Sequence, residues 1–161
     1  MKQYNDRWFI LGAADSDKVI LTFALDRIDK VEALPEKKYF PCTEDLSERF
    51  EDIVGVTLFE DRPIEHIVFW VSDVSKGYVE TKPLHGSQTP LRGEKEQKLR
   101  EQYPILEGGA FFSIDCICNY ELIRELSSYG KDLLVLTEGE VKQGIFKRVQ
   151  EMVREYNVLR T

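Results

Sequence analysis

The loop of residues 82–88 carries the densest group of side chains suited to binding. Its sequence combines Lys82, His85, Ser87 and Gln88 with a glycine that exposes backbone N–H groups. Such a loop can receive an anion or hydrogen-bond the edge of a nucleobase, and its histidine would be sensitive to pH near neutrality. The alternative is a structured turn whose polar side chains bond the loop's own backbone. The residue types alone leave both interpretations open.

Two further candidates lie near the N-terminus. Trp8 begins an apolar run of strand length, which favours a core aromatic. Its alternative is an aromatic wall on which a nucleobase stacks. Arg27 lies in residues 25–31, where apolar and charged side chains nearly alternate as on a half-buried strand. By itself, Arg27 is expected to form a surface salt bridge with Asp26, with Asp29 or with another neighbour.

The sequence shows no recognisable set of catalytic residues. The two histidines are His66, in an apolar run, and His85, in the loop. No nucleophile-elbow, zinc-protease or phosphate-loop motif occurs. We therefore expect a protein that is not an enzyme, with no catalytic residue, no cofactor and no metal. A hydrolase on an unrecognised scaffold is the remaining catalytic alternative.

Composition restricts the class of protein. The net charge is −7, with 42% hydrophobic and 32% charged residues, so binding of duplex DNA through the bulk surface is disfavoured. No apolar run is long enough for a membrane span, and no signal peptide is recognisable. The three cysteines predict reduced thiols in the cytoplasm. Cys116 and Cys118 are expected to face opposite sides of a strand, away from any shared metal.

Hydrophobic periodicity and turn residues predict the elements. In the first unit we expect strands at residues 7–12, 19–23, 25–31 and 55–59 and a helix at 44–53 that begins near Thr43. In the second we expect strands at 65–71, 109–118 and 132–136 and helices at 74–81 and 120–129. A final helix to about Asn157 would open with a capping box of Thr137 and Glu140. Residues 94–103 are expected to fray or to be solvated.

The order of several short motifs resembles the WYL domain, a ligand-sensing module of bacterial transcriptional regulators. Residues 8–10 read Trp-Phe-Ile, similar to the Trp-Tyr-Leu strand that names the family. Residues 23–28 read Phe-Ala-Leu-Asp-Arg-Ile, similar to a family phrase with Arg at the second position. Further similar pieces are residues 39–41, Phe50, Gly55 and the loop of residues 83–88.

The resemblance implies an α+β fold. Residues 1–60 would form part of an Sm-like or SH3-like β-barrel, and residues 61–161 a ferredoxin-like α/β sandwich, the family's WCX extension. The winged-helix domain that contacts duplex DNA in the family would be missing from this sequence. A barrel without its early strands would leave an unpaired edge, so we expect a homodimer.

The resemblance also implies a function. The expected ligand is a nucleotide-like or single-stranded nucleic-acid effector, since WYL domains use basic residues of the strand around Arg27 and arginine grips phosphate through two hydrogen bonds. Ala24 stands where members of the family often have another arginine, and this difference predicts a weakened or altered anion site. The predicted ligand-binding residues are Arg7, Trp8, Arg27, Lys82, His85, Ser87 and Gln88. The alternative is a protein-interaction or dimerisation module without a small ligand.

Overall fold

The chain folds into an α+β structure with two antiparallel sheets, of three and four strands, and four α-helices in the part that is described. The computed structural model describes residues 1–13, 20–38, 41–42, 45–59 and 61–160. The turn predicted after residue 13, the similarity at Tyr39 and Phe40, and the helix start predicted at Thr43 lie outside these residues. Among the described helices, none combines the length and the apolar content needed to cross a bilayer.

The N-terminal sheet is a meander of β1 (Lys2–Tyr4), β2 (Arg7–Ala13) and β3 (Ile20–Ala24). Asn5 and Asp6 form the first turn with positive φ angles of 47° and 59°. Two such residues match the twist of an antiparallel hairpin, and Asn and Asp tolerate this conformation better than most side chains. The turn therefore fixes the register in which Tyr4 lies opposite Arg7.

The connection between the sheets is less regular than the sequence predicts. Residues 25–31 were expected to form a strand, but they begin with a 3-10 turn (Leu25–Arg27) and continue without strand pairing. The described part of the predicted helix at 44–53 holds only a 3-10 turn (Glu48–Phe50). Residues 55–59 pair with no strand. These three predictions are wrong in the described residues, because a local pattern does not supply the partner strand or packing surface that an element needs.

The second sheet has the strand order β5-β6-β4-β7, with every neighbour antiparallel. Its strands are β4 (Ile64–Val71), β5 (Thr89–Leu91), β6 (Ala110–Ile117) and β7 (Leu133–Val135). The helices are α1 (Asp73–Thr81), α2 (Glu94–Gln102), α3 (Tyr120–Ser128) and α4 (Glu140–Val158). The strands predicted at 65–71, 109–118 and 132–136 and all three predicted helices of this unit are present, whereas β5 was not predicted.

Both faces of the second sheet are covered at its centre. On one face the Phe69 and Phe112 rings stack at 5.7 Å within the main core cluster. On the other face Trp70 and Phe111 pack against Leu99 of α2. Burial on both faces explains why β4 reads as a nearly continuous apolar run.

Helix α2 corrects the expectation that residues 94–103 fray or are solvated. Leu99 anchors the helix on the second core cluster. The Arg100 guanidinium lies 5.2 Å from the centre of the Phe111 ring and donates to the carbonyl of Gly108 at 2.9 Å. One apolar contact and one well-bonded arginine are enough to dock a helix whose composition is almost wholly polar.

Two details of the second unit also differ from the predictions. Helix α4 begins after Gly139, not at a capping box, because the Thr137 hydroxyl accepts a hydrogen bond from the Val68 backbone N–H at 3.1 Å. Cys116 and Cys118 lie in the same core cluster, not on opposite faces. Residues two apart in an extended chain share a face, which accounts for their common position.

Candidate ligand pocket

A cavity of about 560 Å³ lies between the N-terminal sheet and the N-terminal half of α3. The sheet contributes alternate residues of its inner face, and α3 contributes Tyr120, Glu121 and Arg124. The remaining wall is a short extended segment, residues 56–58. The full lining is Tyr4, Asn5, Arg7, Phe9, Ile20, Thr22, Ala24, Arg27, Val56, Thr57, Leu58, Tyr120, Glu121 and Arg124.

The pocket concentrates positive charge in an acidic chain. Three arginines and one glutamate are the charged residues of its lining, against a net charge of −7 for the whole protein. Arg7 donates to the Asp26 carboxylate at 2.6 Å. Within the described residues, Arg27 and Arg124 form neither a hydrogen bond nor an ion pair. Two guanidinium groups are therefore available to an anion. Ala24, which replaces an arginine of the family phrase, also lines the cavity, but it leaves these two guanidinium groups in place.

Glu121 is the least expected member of the lining. Its side chain is 7% exposed, and its Oε1 accepts a hydrogen bond from the Thr57 hydroxyl at 2.7 Å. Its Oε2 is buried and has no hydrogen-bond partner among the residues described. The buried hydroxyl oxygen of Tyr4 also has no hydrogen-bond partner among the residues described. The two unsatisfied polar atoms thus belong to residues of one cavity, and each calls for a physical explanation.

Asn119 positions both α3 and the extended segment that faces it. Its side-chain oxygen accepts from the Leu122 backbone N–H at 2.8 Å and so caps the helix. Its side-chain nitrogen donates to the carbonyls of Val54 and Thr57 at 2.8 and 3.2 Å. One buried amide therefore fixes the distance between two walls of the pocket.

Gly55 permits the close approach of the same segment. It has a φ of +91°, and a Cβ built on it would lie 2.6 Å from Cγ of Glu121. Only a glycine can adopt this backbone angle and leave room for the aliphatic part of the glutamate. The Glu121 side chain is held between this backbone and the hydroxyl of Thr57.

Of the residues predicted to bind a ligand, Arg7 and Arg27 line the cavity. Trp8 lies on the opposite face of β2, next to Gln3 in the register, and is 49% exposed. The expectation of a core aromatic is therefore wrong for Trp8. The adjacent positions Arg7 and Phe9 point towards the cavity because successive side chains of a strand alternate between faces.

The loop of residues 82–88 does not join this pocket, since none of its residues lines it. Gln88 accepts from the Leu84 backbone N–H and donates to the Val79 carbonyl, both at 2.9 Å. The Ser87 hydroxyl donates to the Asp115 carbonyl at 3.0 Å and accepts from its backbone N–H at 2.9 Å. These bonds correspond to the structured-turn alternative.

The other two loop candidates also make local contacts. The Nδ1 atom of His85 lies 2.7 Å from the Ser87 hydroxyl oxygen. Lys82 donates to the Tyr78 hydroxyl at 3.2 Å, and this hydrogen bond raises the pKa of the lysine. The structure therefore brings Arg7 and Arg27 together and separates them from Lys82, His85, Ser87 and Gln88.

The sequence interpretation missed most of the lining, including the polar residues Tyr4, Thr57, Glu121 and Arg124. The 64 positions between Thr57 and Glu121 leave no spacing motif that would connect them. Arg124 is one helical turn from Glu121, which is a weak signal that the two share a face. No local pattern could have identified the pocket.

A second cluster with metal-ligand chemistry lies near the start of α4. Ligand atoms of Glu65, Cys118 and Glu140 lie within 4.8 Å of one another. Arg62 donates to the Glu140 carboxylate at 3.0 Å and to the Cys118 carbonyl at 3.1 Å. Burial, together with the charges of Glu65 and Glu140, raises the pKa of the Cys118 thiol to about 11. The cluster is accounted for by an ion pair beside a protonated thiol.

Compared with known proteins, the chain matches no family model and no curated protein sequence. The similarity to WYL regulators consequently rests on the short motifs alone. Of these motifs, residues 23–28 contribute Ala24 and Arg27 to the cavity lining.

Proposed function

We propose that this chain is the ligand-sensing and oligomerisation part of a transcriptional regulator, and that its cavity binds a nucleotide-like or single-stranded nucleic-acid effector. The observation that carries the proposal is the presence of Arg27 and Arg124 in one cavity, without ionic partners in the described residues, in a chain of net charge −7. Guanidinium groups recognise phosphate through paired, charge-assisted hydrogen bonds. Phe9 and Tyr120 add aromatic surface for a base.

The fold supports the finer architecture within the same proposal. The order β5-β6-β4-β7, with helices between strands, is the arrangement expected of a ferredoxin-like sandwich for residues 61–161. The three-stranded meander is compatible with part of an Sm-like barrel for residues 1–60. In a cytoplasmic regulator of this kind, a separate N-terminal domain would contact duplex DNA. Effector binding would act by favouring one arrangement of the dimer over another.

The first test is a calorimetric titration of the whole chain with nucleoside monophosphates and short single-stranded oligonucleotides. We expect Arg27→Ala and Arg124→Ala each to weaken binding by roughly 10- to 100-fold, the cost of losing one charged hydrogen-bonding group. Arg92→Ala is the matched control, because Arg92 is exposed, lies outside the cavity and carries the same charge. Equal affinity of the wild type and of both arginine variants would overturn the assignment of the site.

A second candidate function is self-association without a small ligand. The outer face of the N-terminal sheet exposes four large apolar side chains, Trp8, Ile10, Leu21 and Phe23. The register places Ile10 opposite Phe23, so these side chains form one continuous surface. A contiguous exposed apolar patch is typical of an interaction site.

Helix α4 offers another apolar surface. Phe146, Val149, Val153 and Tyr156 recur at spacings of three and four and are all exposed. This spacing is that of a coiled-coil seam. We propose a second copy of the chain as the partner of one of these two surfaces.

Analytical ultracentrifugation of charged variants distinguishes the surfaces. Phe23→Lys should dissociate a dimer formed through the sheet, and Val153→Lys one formed through α4. Lys147→Glu on the polar side of α4 serves as the control for a change of charge. A monomer at all concentrations in the wild type would exclude self-association, both as a function by itself and as the dimer through which an effector would act, and would leave ligand binding as the function to pursue.

A further inference from the structure

We propose that α4 pairs with α4 of a second copy of the chain in antiparallel orientation. This inference rests on the second candidate function, self-association, and names the surface, the orientation and the contacts that carry it. The motivating observation is that every residue from 149 to 160 is exposed, although the helix continues to Val158. The last ten residues of α4, about 15 Å of helix, therefore extend beyond the part that packs on the described body of the protein.

The two ends of α4 differ in their surroundings. At the start, Val141 is buried in the main core cluster, and a Cβ built on Gly144 would lie 2.4 Å from Cδ1 of Ile123. Towards the end, Met152 and Tyr156 are 50% and 63% exposed. Most of the stability of a protein helix comes from packing of its apolar face, so a segment with apolar side chains and no packing is expected to require a partner.

The apolar face of this segment is two rows wide. One row is Phe146, Val149, Val153 and Tyr156, and the other is Val149, Met152, Tyr156 and Leu159. All of these side chains are exposed. Both rows have the alternating spacings of three and four that a coiled-coil seam requires. Because the rows share two members, they form one continuous face.

The face is complementary to itself when one helix is reversed. In an antiparallel pair, each a position of one helix packs opposite a d position of the other. The first row then places Phe146 opposite Tyr156 of the second copy, and Val149 opposite Val153. The second row places Val149 opposite Met152. Both rows put the two-fold axis near position 151, so a single arrangement satisfies both.

The charges beside the face favour the same arrangement. Arg148 and Glu155 lie on one side of the second row, seven positions apart, so the antiparallel pair brings Arg148 next to Glu155 of the second copy, twice by symmetry. Within the described residues Arg148 forms no ion pair, and Glu155 pairs only with Arg154, at 3.3 Å, in an exposed contact that contributes little. A parallel pair would instead place Arg148 beside the apolar Val153, and Glu155 beside Arg160.

The test is analytical ultracentrifugation of the whole chain as wild type, as Arg148→Glu, as Glu155→Arg and as the double variant that exchanges the charges. We expect each single change to raise the dissociation constant of the dimer by roughly tenfold or more, because two attractive contacts become repulsive, and the double variant to regain the wild-type affinity. Lys147→Glu, with the same change of charge on the polar side of α4, should have little effect. A double variant that dimerises no better than Glu155→Arg would overturn the antiparallel arrangement.

Disulfide cross-linking tests the orientation directly, in a Cys42→Ser background that removes the exposed native thiol. We expect Phe146→Cys and Tyr156→Cys proteins to cross-link when they are mixed. Neither should cross-link alone, because in the antiparallel pair each position is about 15 Å along the axis from its own copy, too far for a disulfide. Cross-linking of each variant with itself would indicate a parallel pair and overturn the proposal.

The failure of this inference is distinguishable from the failure of self-association. A wild type that is monomeric at all concentrations would overturn both. A dimer that Phe23→Lys dissociates and Arg148→Glu leaves intact would be formed through the N-terminal sheet, and would overturn the pairing of α4 alone. Ligand binding by the cavity is decided separately by its own titration.

Discussion

The side-chain nitrogen of Asn119 donates a hydrogen bond to the backbone carbonyl of Val54 at 2.8 Å, across 65 positions of the sequence. Both residues are buried. The same side chain caps α3 through the Leu122 N–H. This contact joins the connecting segment to the second unit and so determines where the pocket wall lies.

Replacing Asn119 by alanine should therefore destabilise the protein strongly. The change leaves the carbonyl of Val54 and the N–H of Leu122 without their partner, at roughly 1–3 kcal/mol for each buried group. We expect the free energy of unfolding, measured in urea, to fall by about 2–4 kcal/mol. Asn157→Ala in the exposed part of α4 is the control and should change it by less than about 0.5 kcal/mol. Similar values for the two variants would contradict the structural role of Asn119.

Gly55 should not tolerate a side chain. Gly55→Ala places a methyl group against Cγ of Glu121 at a φ of +91°, and the combination of strain and overlap should cost about 2–4 kcal/mol. Gly77→Ala in α1 is the matched control, because a Cβ there meets no atom within 4 Å. That variant should be neutral or stabilising by up to about 1 kcal/mol. Thermal unfolding of both proteins measures the difference, and a harmless Gly55→Ala would disprove the close packing.

The two tryptophans should behave differently towards a soluble quencher. Trp8 is half exposed, whereas Trp70 is buried and its indole N–H donates to the Gly108 carbonyl at 3.2 Å. In Trp70→Phe, which retains Trp8, acrylamide should quench the fluorescence several-fold more efficiently than in Trp8→Phe. The same quenching can be measured in Trp70→Phe at decreasing protein concentration. Quenching of Trp8 should increase on dilution only if a second copy of the chain covers the sheet surface. Equal quenching in the two variants would be inconsistent with the fold.

Thiol labelling should separate the cysteines. Burial raises the pKa of both the Cys116 and the Cys118 thiols from the ordinary value of 9.0 to about 11. Iodoacetamide at pH 8 should modify the exposed Cys42 much faster than the two buried thiols, because the thiolate is the reactive form. Peptide mass spectrometry gives the rate at each position, and the same reaction in urea, where all three should react, is the control.

The same pKa values predict how stability depends on pH. A thiol whose pKa is higher in the folded state binds its proton more tightly there, so its contribution is complete below pH 9 and is lost as the pH rises towards 11. The free energy of unfolding should therefore fall across this interval. Replacing both cysteines by alanine should flatten that fall. An unchanged slope would mean that other groups cause it.

Much of the second unit could be predicted from the sequence. The apolar run that becomes Ile64–Val71 and the periodic pattern of Tyr120–Ser128 are local signals, and the core confirms what they indicate. Gly130, with a φ of +57°, follows the helix as expected of a C-terminal glycine. The general α+β class follows from the order of these elements.

The incorrect predictions for residues 25–31 and for Trp8 have one physical origin. Residues 25–31 alternate like a strand, but β3 already pairs with β2 and no strand in the described structure pairs with 25–31. Trp8 has the type and the neighbours of a core residue, but the register turns it to the outer face. In both places the outcome depended on which distant segment was present to pack against, and side-chain pattern carries no information about that.

The sequence by itself determined the regular elements of the second unit and the presence of arginines near the start, because strand and helix patterns depend on residues a few positions apart. Only the tertiary structure decided that Arg27 and Arg124 share a cavity, and that the lining includes Glu121, whose buried Oε2 has no hydrogen-bond partner among the described residues. These relationships depend on the packing of segments that are far apart in the chain. The bonds made by Asn119 and the absence of a side chain at Gly55 bring those segments together.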